Sequence, residues 1–569
     1  MKKVACGITL FLIIVCTLIL AFNVQKVNSN WTWTETIYIR ADGSIYPSGA
    51  PISSADKTTY TLTDDIVGEV PQDFSAIVIE RDNIIINGNG FAVEGMGAMR
   101  STGIKLIFRS NVTIINITIR NFYWAIWLDE SSSNTISENN IAESNGMGVG
   151  VLNSSNNTIS GNNITNCWDG IWLGISSNNK ISRNNITNSR CGLHLAGSSN
   201  NIVNENSFVK SGLFVYDSYG NVVNDNMVNG KPLICLEGVS NTSVGEAGQV
   251  VLVRCDQVIV KGLNLSDTFM GVELWQTNNT QIMGNNIAGN SLCGIGILNS
   301  SSNIINGNNI TNNGYGIFLE GSSSNSICQN KVIRNDYGIF LVESSDNNIH
   351  HNNLINNTKQ VYDYSWDYGG SISLNVWDDD YPSGGNYWSD CGGADLYGGS
   401  YQNETGTDGI GDAPYTIDAN NEDRYPLMAP FNTFRAGVWN GITYDVAVIS
   451  NSTVSGFNFN VDLKSVSFNV TGDDGTIGFC RVTIPKSLLW ADDGWIILVD
   501  DQPVTDYTRF QDENFTYLYF TYNHSTQTVI IQGTNAIPEF SSTLSITMLM
   551  LTTLITTIIL KTKRKRQYP

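Results

Sequence analysis

A run rich in asparagine and serine recurs about every 22 residues along much of this 569-residue chain. It reads NNTISGNNITN from Asn156, NNKISRNNITN from Asn178 and SSNIINGNNITNN from Ser301. One such run would predict only a loop, because Asn is disfavoured in strands and favoured in turns. A fixed period of this length instead predicts stacked supersecondary units, since a single short unit cannot bury an apolar face alone.

Each repeat contains three short apolar pieces separated by Ser, Asn and Gly. In GIWLGISSNNKISRNNITN, Ile171 and Leu173 flank Trp172, which is the two-residue period of a strand. Ile181 and Ile186 fall in two further short strands. Stacked copies would pair these strands from coil to coil and turn Ile, Leu and Val toward one shared interior. The sequence therefore predicts an all-β protein built on a parallel β-helix.

The asparagines suit the corners between these strands. Asn adopts left-handed backbone angles and bonds its local backbone. Side chains at equivalent corners can also hydrogen-bond from coil to coil in a ladder. We therefore interpret the asparagines as chiefly architectural. The same runs create sequons such as Asn163-Ile-Thr165, Asn185-Ile-Thr187 and Asn309-Ile-Thr311, and an exported chain is expected to be glycosylated at sites that the sequence does not single out.

Changes in pattern along the chain predict four extracellular segments. The coils extend over residues 75–362, and residues 30–74 precede them as an N-terminal cap. Residues 363–434 are rich in Gly, Asp, Trp, Tyr and Pro, which predicts an irregular, tightly turned C-terminal cap. Residues 435–535 contain alternating runs such as FNFNVDLKSVSFNV with turn signals about every ten residues, which is typical of a β-sandwich.

Both ends of the chain carry membrane signals. Residues 1–29 begin with Met1-Lys2-Lys3 and an apolar run, the pattern of an export signal or, if uncleaved, an N-terminal anchor. Residues 536–569 contain the apolar run 544–560, which predicts a transmembrane helix, and then KTKRKR. Because Lys and Arg mark the cytoplasmic side of a span, we expect the body to lie outside the cell and only the basic tail inside.

Charge and cysteine content narrow the range of partners. The formal net charge of −21 argues against nucleic acid, whose phosphates would repel the chain. The eight cysteines outside the N-terminal signal are scattered and show no metal-binding spacing. They do not form a disulfide framework, although Cys235 and Cys255 lie about one coil apart and a disulfide between them is one possibility.

Several motifs carry a family resemblance. The Asn-rich coils, VNGKPLICLEGVSN at Val228 and the series PSGGNYWSD, DGIGDAPYTID and DRYPLM together resemble the NosD-like β-helix family over residues 37–430. The resemblance implies a right-handed parallel β-helix of the pectin-lyase-like fold, export, and a link to copper handling in nitrous oxide reductase maturation. Sugar-binding proteins and sugar hydrolases share that fold. The tail IPEF at Ile537, followed by a span and a basic cluster, is similar to archaeal surface-sorting signals of the PEF type, in which a sortase-like enzyme replaces the span with a lipid anchor.

Catalysis by a glycosidase on such coils would require two carboxylates about 5 to 9.5 Å apart on one face. In the aligned repeats, Asp129 falls beside Leu152. Asp169 falls beside Met147 and Cys191, so neither carboxylate stacks on another. We therefore predict no catalytic residue, and a polysaccharide lyase or hydrolase stays the alternative from the enzyme class.

The sequence does not support copper binding. The chain has four histidines, and His350 and His351 are adjacent, so a strand would point their rings to opposite faces. His194 and His524 are isolated, and soft ligands from a Met-rich or Cys-His cluster are absent from the sequence. An accessory role in metal or nutrient transport is kept as an alternative only because of the family resemblance.

Calcium is the better candidate among metals. The motif TDGIGD places Asp408 and Asp412 around two glycines that permit a tight turn, and Ca²⁺ binds several hard oxygens. Asp390, Asp395 and Asp418 are near in sequence and would add carboxylates. The alternative is a set of Asx turns that holds no ion.

The x position of the G-I-x-L strand is expected to face outward, between two inward residues. Down the stack it carries Trp127, Gly150, Trp172, His194, Phe214, Glu273, Gly296, Phe318 and Phe340. Exposed apolar strips often mark binding sites, and aromatic faces stack on sugar rings. Trp127 and Trp172 lie two coils apart, or ~10 Å at ~4.8 Å per coil, near the length of a disaccharide. The alternative is a ladder that only stabilises neighbouring coils.

These observations together predict a membrane-anchored β-helix protein on the cell surface. Its expected partners are glycans or surface-layer components, bound without catalysis through the aromatic side chains at Trp127, Trp172, His194, Phe214, Phe318 and Phe340. Trp172→Ala is expected to weaken glycan binding and to leave the fold intact.

Overall fold

A computed structural model describes residues 31–365, 369–537 and 555–556. Its strands build an all-β solenoid of about 14 turns, which confirms the predicted β-helix. The predicted export signal and the PEF motif lie outside the described residues, as does almost all of the predicted transmembrane helix. Helical residues within the described ranges are those at 364–365 and 555–556. None of the helices described there is long and apolar enough to cross a membrane.

Contacts divide the chain into two compact units. The first comprises residues 1–278 and 286–300, and the second comprises residues 279–285 and 301–569. The first unit contains most of the coils. The second contains the last coils, the C-terminal cap and the β-sandwich.

The G-I-x-L strands at the start of the first unit form one parallel sheet. Ile126 pairs with Val149, and Val149 pairs with Ile171, so the inward residues form a buried column from coil to coil. Ile45–Tyr46 adds an antiparallel edge. In order, the parallel strands are Ile37–Ile39, Ser75–Ile79, Thr102–Ile107, Trp124–Asp129, Met147–Leu152, Asp169–Gly174, Cys191–Ala196 and Leu213–Tyr216.

Two further parallel sheets complete these coils. The second contains Thr59–Leu62, Ile84–Asn87, Val112–Ile115, Thr135–Ser137, Thr158–Ser160, Lys180–Ser182, Ile202–Asn204 and Val222–Asn224, with Ile52–Ser53 as an antiparallel edge. The third, which we call the N-I-T sheet after its commonest strand, contains Ile66–Val67, Ala92–Glu94, Thr118–Arg120, Asn140–Ala142, Asn163–Thr165, Asn185–Thr187, Ser207–Val209 and Met227–Val228. The central residue of each three-residue strand in these coils is buried, so the alternation predicted for a strand holds even at this short length.

Asparagine ladders join the coils, as the sequence predicts. The Asn157 backbone N–H donates to Asn179 Oδ1 at 2.8 Å, and Asn157 Nδ2 donates to the same oxygen at 3.1 Å. In the pairs Asn156-Asn157 and Asn178-Asn179 the first asparagine has the other predicted role, since Asn156 and Asn178 both adopt a left-handed φ of 58°. At this corner the repeat therefore keeps two adjacent asparagines because one turns the chain while the other bonds the next coil.

After residue 228 the G-I-x-L strands no longer stack on the earlier G-I-x-L sheet. At Asn229-Gly230 both residues adopt a left-handed φ, and the chain reverses so that Lys231 pairs antiparallel with Val228. Lys231–Glu237 then pairs parallel with Gln249–Val253, which pairs with Met270–Trp275. The later G-I-x-L strands of this unit thus continue the N-I-T sheet. The prediction of one column running through every x position is therefore wrong.

Two polar side chains close the edge at which the first G-I-x-L sheet ends. Gln249 Oε1 accepts the Leu213 N–H at 2.9 Å, and Gln249 Nε2 donates to the Leu213 carbonyl at 2.6 Å. Glu273 Oε1 accepts the Val215 N–H at 3.1 Å. Burial raises the pKa of Glu273 well above its usual range. Glu273 is fully buried, so the prediction that it faces outward is wrong.

The rest of the first unit supplies short strands to its last coils. Cys293–Leu298 pairs with Met270–Trp275, and Asn264–Ser266 pairs with Asn286–Ala288. Ser240–Val244 pairs with Asp256–Lys261. Cys235 and Cys255 are both free thiols, so the disulfide considered between them is not formed.

The coils of the second unit follow the same plan. Ladders run here from Asn303 to Asn325 and from Asn308 to Asn330. One face contains Gln281–Met283, Ile304–Asn306, Ser326–Cys328 and Asn348–His350. The next face contains Asn309–Thr311, Lys331–Ile333, Asn353–Ile355 and Tyr387–Trp388. The third face contains Tyr315–Glu320, Tyr337–Val342 and Lys359–Asp363.

An irregular cap and a β-sandwich follow the coils. The cap contains the hairpins Tyr397–Gly398 with Glu404–Thr405 and Tyr415–Thr416 with Glu422–Asp423. One sandwich sheet contains Phe431–Trp439, Ile442–Ser450, Ile477–Pro485, Phe515–Asn523 and Tyr507–Gln511, and the other contains Thr453–Asn460, Ser465–Thr471, Thr526–Gln532, Ile496–Val499 and Gln502–Pro503. Leu489–Trp490 pairs with Asn535–Ala536. Val446 and Val482 from one sheet share a buried core with Phe468 and Val529 from the other.

Candidate functional site

Four side chains at the x position of the first G-I-x-L sheet form a strip. Trp172 pairs in register with His194, and His194 pairs with Phe214. Trp127 lies two coils before Trp172, with Gly150 between them, as the sequence alignment predicts. All four side chains are partly buried rather than fully exposed. We call Trp127, Trp172, His194 and Phe214 the aromatic strip.

The two indoles of the strip lie together because glycines make room for them. A Cβ on Gly150 would lie 2.4 Å from the Trp127 ring, and a Cβ on Gly174 would lie 2.0 Å from the Trp172 ring. The ring centroids of Trp127 and Trp172 are 6.0 Å apart, and their planes differ by 10°. The predicted separation of about two coils is therefore wrong for the rings, which stack with nearly parallel planes. Trp124 also stacks on Trp127, with ring centroids 4.7 Å apart.

Polar groups lie beside the aromatic strip. The Asp169 carboxylate lies 3.3 Å from His194 Nδ1, and the Asp169 side chain is itself largely buried. The Arg190 guanidinium lies 4.4 Å from the ring centroid of Trp168, whose side chain is 54% exposed. Aromatic side chains beside a few fixed donors and acceptors match the usual residue composition of a small-ligand site.

The remaining predicted aromatic residues lie in the second unit. Phe318 pairs in register with Phe340, and their ring centroids are 5.7 Å apart. Phe340 is buried, and Tyr315 stacks on it at 4.3 Å. This pair thus packs among other aromatic side chains, as expected for a ladder that only stabilises neighbouring coils.

The carboxylates proposed for calcium are engaged with N–H donors. Asp412 accepts the N–H groups of Leu396 and Tyr397 at 3.0 Å. Asp408 Oδ1 accepts the Ile410 N–H at 3.0 Å, and Asp395 accepts the N–H of Asp408. Burial raises the pKa of Asp395 to about 6. The arrangement matches the Asx-turn alternative, and calcium at Asp408 and Asp412 stays a prediction.

His350 and His351 converge, although strand alternation predicts that their rings diverge. Their Nδ1 atoms lie 3.2 Å apart, and both rings approach Asp379 of the C-terminal cap. The ligand atoms of these three residues all lie within 4.8 Å of one another, the one group of this kind among the described residues. Burial lowers the pKa of His351 to about 3, which keeps the imidazole neutral. We call these three residues the His-Asp cluster.

The repeat contains a signal that would have predicted this convergence. His351 has a left-handed φ of 56°, so it turns the corner instead of continuing the strand. The equivalent repeat position carries Gly161, Gly284 and Gly307, and each of these glycines also has a positive φ. Glycine at three copies of one position indicates a left-handed corner at every copy. The strand rule therefore did not apply at His351.

Two family profiles match the coils. Residues 102–247 match the right-handed beta helix region, and residues 209–393 match NosD, described as a periplasmic copper-binding protein. The matched residues include all the later coils and the His-Asp cluster. Residues 102–393 form a right-handed β-helix, and residues 209–393 of it are NosD-like. The family resemblance stated from the sequence is thus confirmed for this region.

No curated protein matches the chain. Among solved structures, the Dettilon tailspike protein is 12% identical, with 88% of this chain and 86% of that chain covered and a TM-score of 0.28. The A-module of the Azotobacter vinelandii mannuronan C-5 epimerase AlgE6 is 13% identical, with 55% and 89% covered and a TM-score of 0.25. The periplasmic alginate epimerase AlgG is 11% identical, with 57% and 79% covered and a TM-score of 0.19.

Copper, which the NosD description names, can be tested against the described residues of this chain. Imidazole nitrogen suits copper and zinc, and a carboxylate is an acceptable third ligand for either ion. The His-Asp cluster offers two nitrogens and one carboxylate, so it fits such an ion. One of the reasons for which the sequence does not support copper was the expected divergence of the His350 and His351 rings, and that reason no longer holds.

Proposed function

We propose that this protein is a surface-exposed, non-catalytic β-helix module that binds a linear polysaccharide along the aromatic strip. The observation that carries the proposal is the pair of nearly parallel, partly exposed indoles of Trp127 and Trp172, with planes that differ by 10°. Sugar rings present flat patches of C–H groups, and large rigid aromatic side chains contact such patches with few rotamers to immobilise.

The polar border of the strip suits the hydroxyl groups of the same ligand. Asp169 is held against His194, and Arg190 is held against Trp168, so these groups are fixed before a ligand arrives. Fixed donors and acceptors beside an apolar surface orient a ligand at little entropic cost. The strip follows the stacking direction, so it favours a chain of sugars over a single sugar.

Removal of the Trp172 indole should abolish most of the glycan affinity. A glycan array probed with the ectodomain, residues 30–536, identifies the ligand, and titration then compares the parent with Trp172→Ala. We expect affinity at least ~10-fold lower, equivalent to a loss of about 1.4 kcal/mol. Because Trp172 is partly buried against Trp127, we expect the variant to remain folded with a stability loss of about 1–2 kcal/mol.

A matched control tests whether the loss of affinity is specific to the strip or follows from the removal of any aromatic side chain. Tyr401 is 85% exposed in the C-terminal cap, so Tyr401→Ala removes an aromatic ring away from the strip and should leave glycan affinity unchanged. If Trp172→Ala stays folded and binds every glycan as the parent does, the strip is only a stabilising ladder. The absence of any bound glycan on the array would lead to the same conclusion.

The proposal places the body of the protein outside the cytoplasm and attached to the membrane. The NosD family is described as periplasmic, and the apolar runs at the two ends of the sequence support export and anchoring. Protease added to intact cells should therefore digest residues 31–537 and leave a cytosolic control protein intact. Protection of the body on intact cells, with digestion only after lysis, would contradict this topology.

A further inference from the structure

The His-Asp cluster lies at the junction of the last coils with the C-terminal cap, all within the second unit. His350 ends the strand Asn348–His350, and His351 turns the following corner with its left-handed φ. The cap segment after Trp377 brings Asp379 to the same place. A cavity of about 450 Å³ opens beside the cluster and is lined in part by His351, Asp379 and Ser383.

The hydrogen bonds of His351 determine which nitrogen is available. Its Nε2 lies 3.3 Å from the Ser383 carbonyl oxygen, which can only accept a hydrogen bond. Nε2 therefore carries the ring proton, and the lone pair of Nδ1 points toward His350. The ring stacks on Phe431 with centroids 4.3 Å apart and planes 5° apart, so its position is fixed. Metal-ligating histidines commonly donate their other ring N–H in this way.

The carboxylate is oriented as well. The Ser383 hydroxyl donates to Asp379 Oδ2 at 2.7 Å, which leaves Oδ1 for another partner. One residue, Ser383, thus orients both His351 through its carbonyl and Asp379 through its hydroxyl. Hydrogen bonds that orient the ligands are the expected surroundings of a metal site.

The spacing of the nitrogens fits a single ion. Two nitrogens that are 3.2 Å apart and each ~2.0 Å from one ion subtend an angle of roughly 105° at it, close to the tetrahedral value. With the carboxylate they would make three protein ligands, and the cavity beside His351 and Asp379 would give water access to a bound ion. We propose that His350, His351 and Asp379 bind one divalent ion of the copper–zinc class, with Cu²⁺ bound more tightly than Zn²⁺.

The rival explanation is a hydrogen bond between the imidazoles. At 3.2 Å, a His350 Nδ1–H could donate to His351 Nδ1 without any ion. The two explanations differ in what happens when Cu²⁺ is added. An ion displaces the shared proton and joins both nitrogens, whereas a permanent hydrogen bond leaves the site indifferent to the metal.

Cu²⁺ titration of the untagged full-length chain tests the proposal by calorimetry and by electron paramagnetic resonance. We expect one equivalent to bind, with hyperfine structure from two nitrogens, and Zn²⁺ to compete while Ca²⁺ does not. His350→Gln and Asp379→Asn should each weaken Cu²⁺ binding at least ~10-fold. Both residues keep part of their surface in solvent, so these variants should keep the melting temperature of the metal-free parent.

A matched control is provided by His194, which lies in the first unit beside Asp169. His194→Gln removes one imidazole from the chain and should leave the Cu²⁺ affinity and the spectrum unchanged. If His350→Gln and Asp379→Asn bind Cu²⁺ as the parent does, or if the parent binds less than one equivalent, the interacting rings are only a hydrogen-bonded pair and the proposal is overturned. The Cu²⁺ results for His350→Gln and Asp379→Asn do not depend on glycan binding, because neither residue belongs to the aromatic strip. The control His194→Gln does alter the strip, so it is read only by Cu²⁺ binding.

Discussion

Asn162→Ala should be among the most destabilising single substitutions in the coils. Asn162 is only 1% exposed, and its Oδ1 accepts both the backbone N–H and the Nδ2 of Asn139 at 3.0 Å. Its own Nδ2 donates to the Ile136 carbonyl and to Asn184 Oδ1 at 2.9 Å. Alanine removes one bond from each of these four groups, although Asn139 Nδ2 keeps the Ile114 carbonyl and Asn184 Oδ1 keeps the backbone N–H of residue 162. The buried Asn139 N–H loses its acceptor, and an unsatisfied buried group costs about 1–3 kcal/mol.

The expected loss in the free energy of unfolding is therefore about 2–4 kcal/mol, from the unsatisfied N–H and the other lost bonds of the ladder. Thermal and chemical unfolding followed by circular dichroism measures it. Asn163→Ala is the matched control, because Asn163 is the adjacent asparagine but is exposed; its side chain donates to Asn140 Oδ1 at 2.9 Å and accepts from Asn185 Nδ2 at 3.0 Å. Its expected cost is below about 1 kcal/mol. Similar losses from both substitutions would show that the ladder is not what stabilises the coils.

The neighbouring asparagines also show how far the sequence determines the fold. The 22-residue period predicts the coils, and strand alternation predicts which residue of each short strand is buried, because both follow from stacking identical units. The register of Trp127 with Gly150 and Trp172 follows from the same alignment. These features depend only on local pattern and repetition, so a single sequence is sufficient to predict them.

The transfer of the later G-I-x-L strands to a different sheet could not be predicted in this way. The G-I-x-L strands before and after Gly230 have the same pattern, yet they lie in different sheets of the first unit. The change depends on one reversal at Asn229-Gly230 and on Gln249 and Glu273, whose side chains replace the bonds of a missing strand. A periodic signal indicates that strands stack, but it does not indicate which neighbour they stack upon.

The two candidate sites also differ in how much of each follows from the repeat. The residues of the aromatic strip could be named from the alignment, whereas the 6.0 Å ring separation required the side-chain directions over Gly150 and Gly174. The His-Asp cluster joins His350 and His351 to Asp379, which lies 28 residues further along the chain in an irregular segment. Because irregular segments have no period to extrapolate, sequence reasoning had no means of placing Asp379 beside the histidines.

Arg481→Ala should detach the C-terminal cap from the β-sandwich. Arg481 lies in the sandwich strand Ile477–Pro485 and is fully buried. Its guanidinium donates to the carbonyl oxygens of Asp408 and Pro382, both in the cap. Removal of the side chain deprives both buried carbonyls of their donor and opens a cavity between the cap and the sandwich.

We expect this substitution to cost about 3–5 kcal/mol, the range for breaking a buried polar network, with added loss from the cavity. Opening of the C-terminal cap is a more specific expected effect than the loss of overall stability. The cap contains little regular structure of its own, so it depends on contacts such as those of Arg481. Limited proteolysis should therefore cleave Arg481→Ala between residues 390 and 425 well before it cleaves the sandwich. Arg509→Ala removes an exposed arginine from the strand Tyr507–Gln511 and should change stability by no more than ~0.5 kcal/mol. A cap that stays as resistant in Arg481→Ala as in Arg509→Ala would show that other contacts hold it in place.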